Sequence, residues 1–253
     1  MKRKALIIGN TRGETGVSED VKHYRDFLRG ESGGAWEMDE IDVQLDLTKA
    51  KFQQLIATCK EAHYDFFVFI FAGHGGFSRL NNDTVLELSV QAGIAQDVHE
   101  REFQNIAPKQ LNILDCCRSY YNEGLLKEAT LTNRTVRANF SQNPIREHAR
   151  AVYNALVDRS CPGTITLYAC SKGQSAKGES GKGGAFSNAL LNFSGFAQSS
   201  PLYTMEEAFQ SARDEVVRNS FGQQVPTALL LRCLVDQRLP WAVHAQLFTF
   251  KKN

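Results

Sequence analysis

Short runs of apolar residues alternate along this chain with stretches in which apolar residues recur every three or four positions. That alternation is typical of parallel strands joined by crossover helices that cover both faces of a sheet. The run at 66–71 is apolar at every position, as expected of a central parallel strand that is buried on both faces. The pattern therefore predicts an α/β domain. Its mostly parallel sheet has six strands, at 5–8, 41–45, 66–71, 111–115, 164–169 and 227–234.

Helices are predicted between these strands from capping residues and from apolar residues at helical spacing. Ser18 can cap the first helix, and Asp20 then falls in its first turn, where a carboxylate suits the helix dipole. Thr48 can cap a second helix. Thr204 and Glu207 have the spacing of a capping box, which predicts another helix near the end of the chain.

Composition and charge exclude several classes of function. The chain has 253 residues, with 29 Lys and Arg against 28 Asp and Glu, so its formal net charge is only +1. A charge so small gives no strong field for nucleic acid or an anionic membrane. No apolar run is long enough to span a bilayer, and the N-terminal run at 5–8 is too short for a secretory signal. We therefore expect a cytoplasmic protein that binds neither nucleic acid nor membranes.

The six cysteines have no paired C-x-x-C spacing. In the absence of that spacing we expect reduced thiols, no metal site and no cofactor. Most of these cysteines are expected to be small buried hydrophobic residues, Cys59 among them.

Two residues with catalytic chemistry follow strongly predicted strands. His74 comes after the run at 66–71, and Cys117 comes after the run at 111–115. Since the carboxyl ends of parallel strands meet at one edge of a sheet, a thiol nucleophile and its proton-transfer partner are expected there together. The N–H groups of Gly75 and of Cys117 itself are the candidate donors to an oxyanion.

Around these residues the sequence resembles the caspase-like family, which comprises caspases, metacaspases and paracaspases. Residues 69–75 resemble the apolar strand that ends in the family's His-Gly motif, and residues 112–118 resemble its nucleophile strand. In that strand the nucleophile directly precedes Arg or His, which selects Cys117 rather than Cys116. Weaker likenesses follow in the family's order at 168–171, 183–186, 224–226 and 239–243.

The resemblance implies a caspase-like (caspase-hemoglobinase) fold and a cysteine endopeptidase with a Cys117–His74 dyad, closest in motif to metacaspases and paracaspases. It also implies one domain, 1–253, with a large-subunit-like part at 1–121, a linker and helix at 122–162, and a small-subunit-like part at 163–253. The expected partner is a protein or peptide substrate. An activating partner, a dimer and a calcium requirement all stay open, although no acidic cluster has the spacing of a calcium loop.

The residue before the cleaved bond is expected to be Arg or Lys. Asp115 lies two residues before Cys117 in a strand and so faces the same side, where its carboxylate favours a basic side chain. Metacaspases and paracaspases carry Asp at this position, whereas caspases that cut after Asp carry Gln. Where basic-specific relatives have further acids, this chain has Ser89 and Ser175, which are expected to bind substrate together with Asp115. Three acidic residues could take their place: Glu87, Asp97 and Glu179.

Asp115 has a second interpretation, in which it only accepts hydrogen bonds that stabilise the fold. Two other functions are also weighed. A catalytically silent scaffold of the same fold would bind a partner without cleaving it. A nucleotide-binding protein is disfavoured because the glycines after the first strand and at Gly181 lack the spacing of phosphate-binding loops.

A protease that cuts after basic residues can also cut itself. The polar stretch at 119–143 has no strong periodicity, which predicts an exposed linker. The candidate positions in and just after it are Lys127, Arg134, Arg137 and Arg146. A second basic loop, with Lys172, Lys177 and Lys182, is expected to contact substrate instead.

Overall fold

The computed structural model describes residues 1–12, 15–120, 144–179, 182–196, 200–244 and 247. The strands in chain order are β1 (Arg3–Gly9), β2 (Ile41–Leu45), β3 (Phe66–Gly73), β4 (Gly75–Ser78), β5 (Asp83–Gln91), β6 (Ile94–His99), β7 (Lys109–Cys116), β8 (Gly163–Tyr168), β9 (Gly178–Glu179), β10 (Gly183–Gly184), β11 (Leu202–Thr204), β12 (Thr227–Leu229) and β13 (Pro240–Val243). The helices are α1 (Thr15–Arg29), α2 (Lys49–Glu61), α3 (Pro144–Arg159), α4 (Ala185–Phe196) and α5 (Met205–Asn219), with short 3-10 turns at Glu100–Phe103 and Val235–Gln237.

The central sheet has six strands in the order β12-β8-β7-β3-β1-β2. The pairings from β8 through β7, β3 and β1 to β2 are parallel, and only the edge strand β12 is antiparallel to its neighbour. The predicted mostly parallel sheet is therefore confirmed. The predicted extent of the sixth strand is wrong, because β12 ends at Leu229 where its pairing with β8 ends, and Leu230 and Leu234 beyond it are exposed.

Side chains alternate between two cores on the two faces of this sheet, as the pleat of a strand requires. Ile113 on β7 packs in the core that contains residues of α1, α3, α4 and α5. Leu114 and Cys116, on the opposite face of the same strand, pack against α2 and β5. Helices therefore cover both faces, as predicted, and Cys59 of α2 is buried as expected.

Helix starts agree with the predictions except at α1. Thr48 accepts a hydrogen bond from the amide of Lys51 at the start of α2, and Thr204 and Glu207 form the predicted capping box of α5. The helix α1, however, begins at Thr15, so Ser18 lies inside it and is not its cap. Asp20 consequently lies in the second turn of α1 and is buried.

A three-stranded antiparallel sheet, β4-β5-β6, follows β3 directly and was not predicted. Leu86 and Leu88 on β5 are buried in the core beneath α2. This sheet therefore holds the chain immediately after His74 against the body of the domain. Among the described residues, no helix has the length and apolar character needed to cross a membrane.

Candidate active site

His74 and Cys117 follow two strands that are neighbours in the central sheet. Gly73 at the end of β3 is paired with Cys116 at the end of β7, and His74 and Cys117 are the next residues on each strand. Neighbouring strands lie about 4.8 Å apart, so the two residues lie side by side at the same edge of the sheet. Both are partly exposed, and Cys117 Sγ lies 3.7 Å from the carbonyl oxygen of Ala176.

The turn that presents His74 depends on Gly73. Its φ of +143° lies in the region that favours glycine. A Cβ on Gly73 would lie 2.9 Å from the carbonyl oxygen of Asn10, in the segment that follows β1. The close approach of the chain after β1 therefore restricts this position to glycine, and His74 starts from a rigid strand end.

The amide of Gly75 is directed towards the segment that contains Cys117. The Glu87 amide donates to the His74 carbonyl at 3.1 Å, so these two residues form a hydrogen-bonded pair of the antiparallel ladder. Hydrogen-bonded and non-hydrogen-bonded pairs alternate along such a ladder, so the next pair, Gly75 and Leu86, is not hydrogen-bonded. Two residues later, the Phe77 amide donates to the Ser119 carbonyl at 2.8 Å. Amides two residues apart in a strand point the same way, so the Gly75 N–H faces the residues that precede Ser119.

The residues after β7 form an ordered pair of segments with the loop at 171–177. The Arg118 amide donates to the Gln174 carbonyl at 2.9 Å, and the Gly173 amide donates back to the Arg118 carbonyl at 2.8 Å. Together with the contact between Cys117 Sγ and Ala176, these bonds keep the thiol beside this loop.

The buried side chain of Arg118 anchors the same segment. Its guanidinium lies 3.8 Å from the centre of the Tyr168 ring. Nη1 donates to the carbonyl of Cys170 at 3.4 Å and to Thr227 Oγ1 at 3.3 Å. The residue next to the candidate nucleophile is thus held by β8, by the turn after it and by β12.

The neighbouring thiols differ from Cys117 in their surroundings. Burial raises the pKa of Cys116 well above its ordinary value, since this side chain is only 1 % exposed. Burial also raises the pKa of Cys170 to about 12. A thiolate is therefore disfavoured at both positions, and both side chains are buried out of reach of a substrate.

Asp115 is buried on the face of β7 that packs against α1 and α4. Its Oδ2 accepts hydrogen bonds from the amide of Ser187 at 3.0 Å and from Ser187 Oγ at 2.6 Å. Burial raises the pKa of Asp115, and the two bonds from Ser187 act against that rise. A buried carboxylate thus lies two residues before Cys117, on the face of β7 opposite Leu114 and Cys116.

A second carboxylate, which the sequence analysis did not assign to the site, lies beside Asp115. Asp20 on α1 accepts the Gly184 amide at 3.0 Å (Oδ1) and 2.8 Å (Oδ2). A Cβ on Gly184 would lie 2.2 Å from Asp115 Oδ2, so the backbone of Gly184 touches both carboxylates. We call Asp20 and Asp115 the acid pair. Burial and the adjacent Asp115 raise the pKa of Asp20 to about 8.

The sequence contained one signal for Asp20. Val17, Val21, Tyr24 and Leu28 form the buried stripe of α1. Asp20 falls on that stripe at i+3 from Val17 and i−4 from Tyr24. A carboxylate on the buried face of an amphipathic helix needs partners, and that requirement points to a polar site beneath the helix.

The two serines predicted to bind substrate lie in different places. Ser175 is exposed in the loop at 171–177, and its Oγ lies 3.0 Å from Ser119 Oγ, close to the Cys117 segment. Ser89 is buried on β5, where its hydroxyl donates to the carbonyl of Leu47 at 2.6 Å. Since β5 packs on the other face of the central sheet from Asp115, the structure does not bring Ser89 to the acid pair.

The three acids considered as substitutes also differ. Glu87 neighbours His74, but its carboxylate is paired with Arg12 at 2.9 Å. Asp97 lies opposite Glu87 on β6. The side chain of Glu179 lies outside the described residues, as do Lys127, Arg134, Arg137 and Gly181.

Gly9, at the end of β1, is explained by packing. A Cβ there would lie 2.7 Å from a methyl group of Leu45 and 3.0 Å from methyl groups of Val17 and Val21. The glycine therefore allows α1 and β2 to pack closely and leaves no room there for a phosphate group.

Comparisons with known proteins identify a family by sequence and a similar fold by structure. A family model described as a caspase domain matches residues 2–232. The fold is similar to the crystal structure of caspase-1 from Spodoptera frugiperda, with a TM-score of 0.56 and 12 % sequence identity over 90 % of this chain and 86 % of that chain. At that identity the structural likeness shows the fold alone. No curated protein matches the chain by sequence.

Proposed function

We propose that this chain, which belongs to the caspase domain family of cysteine endopeptidases, hydrolyses peptide bonds with Cys117 as nucleophile and His74 as general acid and base. The pairing of Gly73 with Cys116 carries the proposal, because it makes His74 and Cys117 neighbours at one edge of the sheet. The partly exposed thiol at this edge is open to a substrate, in contrast to Cys116.

The chemistry follows from these positions. His74 takes the proton of the Cys117 thiol as the sulfur attacks the peptide carbonyl, and the amides of Gly75 and Cys117 stabilise the negative charge that develops on the carbonyl oxygen. His74 then gives a proton to the departing amine, so that the C–N bond breaks and an acyl-enzyme remains. Water, deprotonated by His74, attacks the acyl-enzyme and releases the carboxylic acid product and the thiol.

The preferred residue before the cut is Arg or Lys. Support comes from the acid pair. Its two buried carboxylates lie on the face of β7 that packs against α1 and α4, and Asp115 is two residues before Cys117. A cationic side chain in contact with both carboxylates gains charge-assisted hydrogen bonds. An Asp side chain there would be repelled by the same two groups. Asp20 is thereby added to Asp115 as a specificity residue.

Self-processing is part of the proposal and is assigned to the linker. Arg146 is excluded as a cut site because it lies in helix α3, where its guanidinium donates to the carbonyls of Arg29 and Trp36. A peptidase of this kind needs an extended substrate segment. The remaining positions are Lys127, Arg134 and Arg137.

The proposal is tested with fluorogenic peptides that differ only in the residue before the cut. Arg or Lys peptides are expected to exceed Asp and Leu peptides in kcat/KM by roughly tenfold or more, as a paired buried charge allows. Asp115→Asn is expected to remove most of that advantage. Cys117→Ala and His74→Ala are each expected to lower kcat by about a thousandfold or more.

Cys116→Ala is the matched control, because it removes the adjacent thiol without touching the proposed nucleophile. It is expected to retain activity within about tenfold, with a lower free energy of unfolding from the small cavity it leaves. Loss of turnover in Cys116→Ala with turnover retained in Cys117→Ala would show that the nucleophile is wrongly assigned. A folded wild type that cleaves none of the peptides would favour the scaffold function.

A further inference from the structure

We propose that Asp20 and Asp115 share a single proton in the free protein at neutral pH, and that the pair releases this proton when the cationic side chain of a substrate binds. The inference rests on the proposed preference for Arg or Lys and deepens it, since it makes recognition of the substrate depend on pH.

The two carboxylates lie on either side of one backbone residue. The Gly184 amide donates to both carboxylate oxygens of Asp20. A Cβ at position 184 would lie only 2.2 Å from Asp115 Oδ2. Asp20 is 3 % exposed and Asp115 is 6 % exposed. Both carboxylates are therefore close together and largely withdrawn from water.

Neutral donors partly satisfy the pair, and none of the cationic side chains that the structure describes does so. Gly184 donates to Asp20, and the amide and hydroxyl of Ser187 donate to Asp115. Among the ion pairs formed by the described residues, none includes either carboxylate. Two buried carboxylates without a cation cannot both ionise at low energetic cost.

The remaining titratable groups that the structure describes around the pair do not supply positive charge. On α1 these are Glu19, whose charge opposes ionisation of Asp20, and the fully buried Tyr24. Beside Asp115 lie the buried thiols of Cys116 and Cys170, whose pKa values are raised chiefly by burial. The elements β10 and α4 contribute the Gly184 amide and Ser187, neither of which titrates. Burial is the largest cause that raises the pKa of Asp20 to about 8, and the negative charge of Asp115 is the second. This pKa agrees with one proton held by the pair near pH 7.

An entering guanidinium or ammonium group changes this balance. It stabilises the doubly ionised pair, so the shared proton leaves to solvent as the cation binds. Because the free protein then holds more protons than the complex below pH 8, affinity rises as pH rises and levels off above about 8. The limiting slope is about tenfold in affinity per pH unit. Neutral side chains gain nothing from this change.

The test uses benzamidine, a small amidinium cation that stays charged, in calorimetric titrations of the full chain. At pH 7 we expect close to one proton to be released per benzamidine bound, read from the difference between two buffers with different ionisation enthalpies. The dissociation constant is expected to fall by roughly tenfold between pH 6.5 and pH 8.

Two variants test whether the proton released on benzamidine binding comes from the acid pair. Glu19→Gln removes a neighbouring, solvent-accessible carboxylate and is expected to leave the proton count near one. Asp20→Asn removes one member of the pair, so proton release near pH 7 should be lost and binding should weaken. Circular dichroism checks its fold, and the wild-type titrations stand by themselves if it fails to fold.

Each outcome separates this inference from the proposed function. Binding of benzamidine without proton release, and with an affinity that does not change with pH, would overturn the shared proton and leave the basic preference standing. Absence of binding at every pH would overturn both the shared proton and the basic preference. The peptidase assignment would then be judged by the peptides with neutral residues before the cut.

Discussion

Gly75 shows how closely a single residue in this site is constrained by packing. A Cβ there would lie 2.7 Å from Cys116 Sγ and 2.8 Å from the Val85 carbonyl oxygen. The antiparallel pairing with Leu86 does not use the Gly75 N–H, which therefore faces the segment of Cys117. Lack of space restricts this position to glycine, whereas strand pairing sets the direction of its N–H.

Gly75→Ala is predicted to lower kcat by about a hundredfold, with a smaller change in KM, because it displaces one oxyanion donor. Steady-state kinetics on an Arg peptide measure this. The control is Gly93→Ala in the turn between β5 and β6, where no atom lies within 4 Å of the added Cβ but φ is +79°. That change should lower the free energy of unfolding by about 1 kcal/mol and leave kcat unchanged. Equal effects of the two variants on kcat would contradict the role given to the Gly75 amide.

Elements, rather than single residues, position the thiol. The segment after β7 and the loop after β8 exchange backbone hydrogen bonds, and Arg118 ties both to Tyr168 and to Thr227 of β12. Because the guanidinium is planar, it can stack on the Tyr168 ring and at the same time donate hydrogen bonds in its own plane. An ammonium group can do only one of these.

Arg118→Lys is therefore predicted to lower kcat by roughly tenfold while KM changes little, since the segment loses its anchor although the charge is kept. The rate of Cys117 alkylation by iodoacetamide should change in parallel, which a general loss of stability would not produce. Arg101→Lys is the matched control, because Arg101 lies nearby but is exposed. Its ion pair with Asp83 is long, at 3.9 Å between Nη1 and Oδ2. Wild-type kcat in Arg118→Lys would show that the anchor is dispensable.

At the scale of the whole molecule, the predicted linker lies, in the sequence, between segments that share one sheet. The strand β7 precedes the linker and β8 follows it, and the two strands are paired in parallel from Lys109 to Leu114. The core on one face also contains α1 from before the predicted linker together with α3, α4 and α5 from after it. A cut between the parts therefore leaves the sheet and core contacts intact.

Incubated wild-type protein is predicted to yield two fragments, cut after Lys127, Arg134 or Arg137, that still elute together in gel filtration. Mass spectrometry identifies the termini, and Cys117→Ala incubated alongside should stay full length. No cut is expected after Arg146, which is held in α3. A wild type that cleaves peptides yet remains uncut would mean that activation comes from a partner, a ligand or dimerisation.

The sequence alone determined the sheet and the two residues at its edge. The strand β3 is evident because it is apolar at every position from 66 to 71, and β7 is evident from the apolar residues at 111, 113 and 114. A parallel arrangement then brings the residues after each strand to the same edge. His74, Cys117 and Asp115 were located from that local information. The resemblance to a known family selected Cys117 over Cys116, and burial of Cys116 agrees with it.

The tertiary structure alone decided which side chains meet. The sequence predicts Asp20 in the first turn of a helix, where its carboxylate suits the dipole, whereas α1 starts earlier and places Asp20 beside Asp115, 95 positions away in the sequence. Ser89 was aligned near the site, whereas β5 carries it to the opposite face of the sheet. Sequence patterns report the environment of one element at a time, and a charge pair between two elements depends on how they pack.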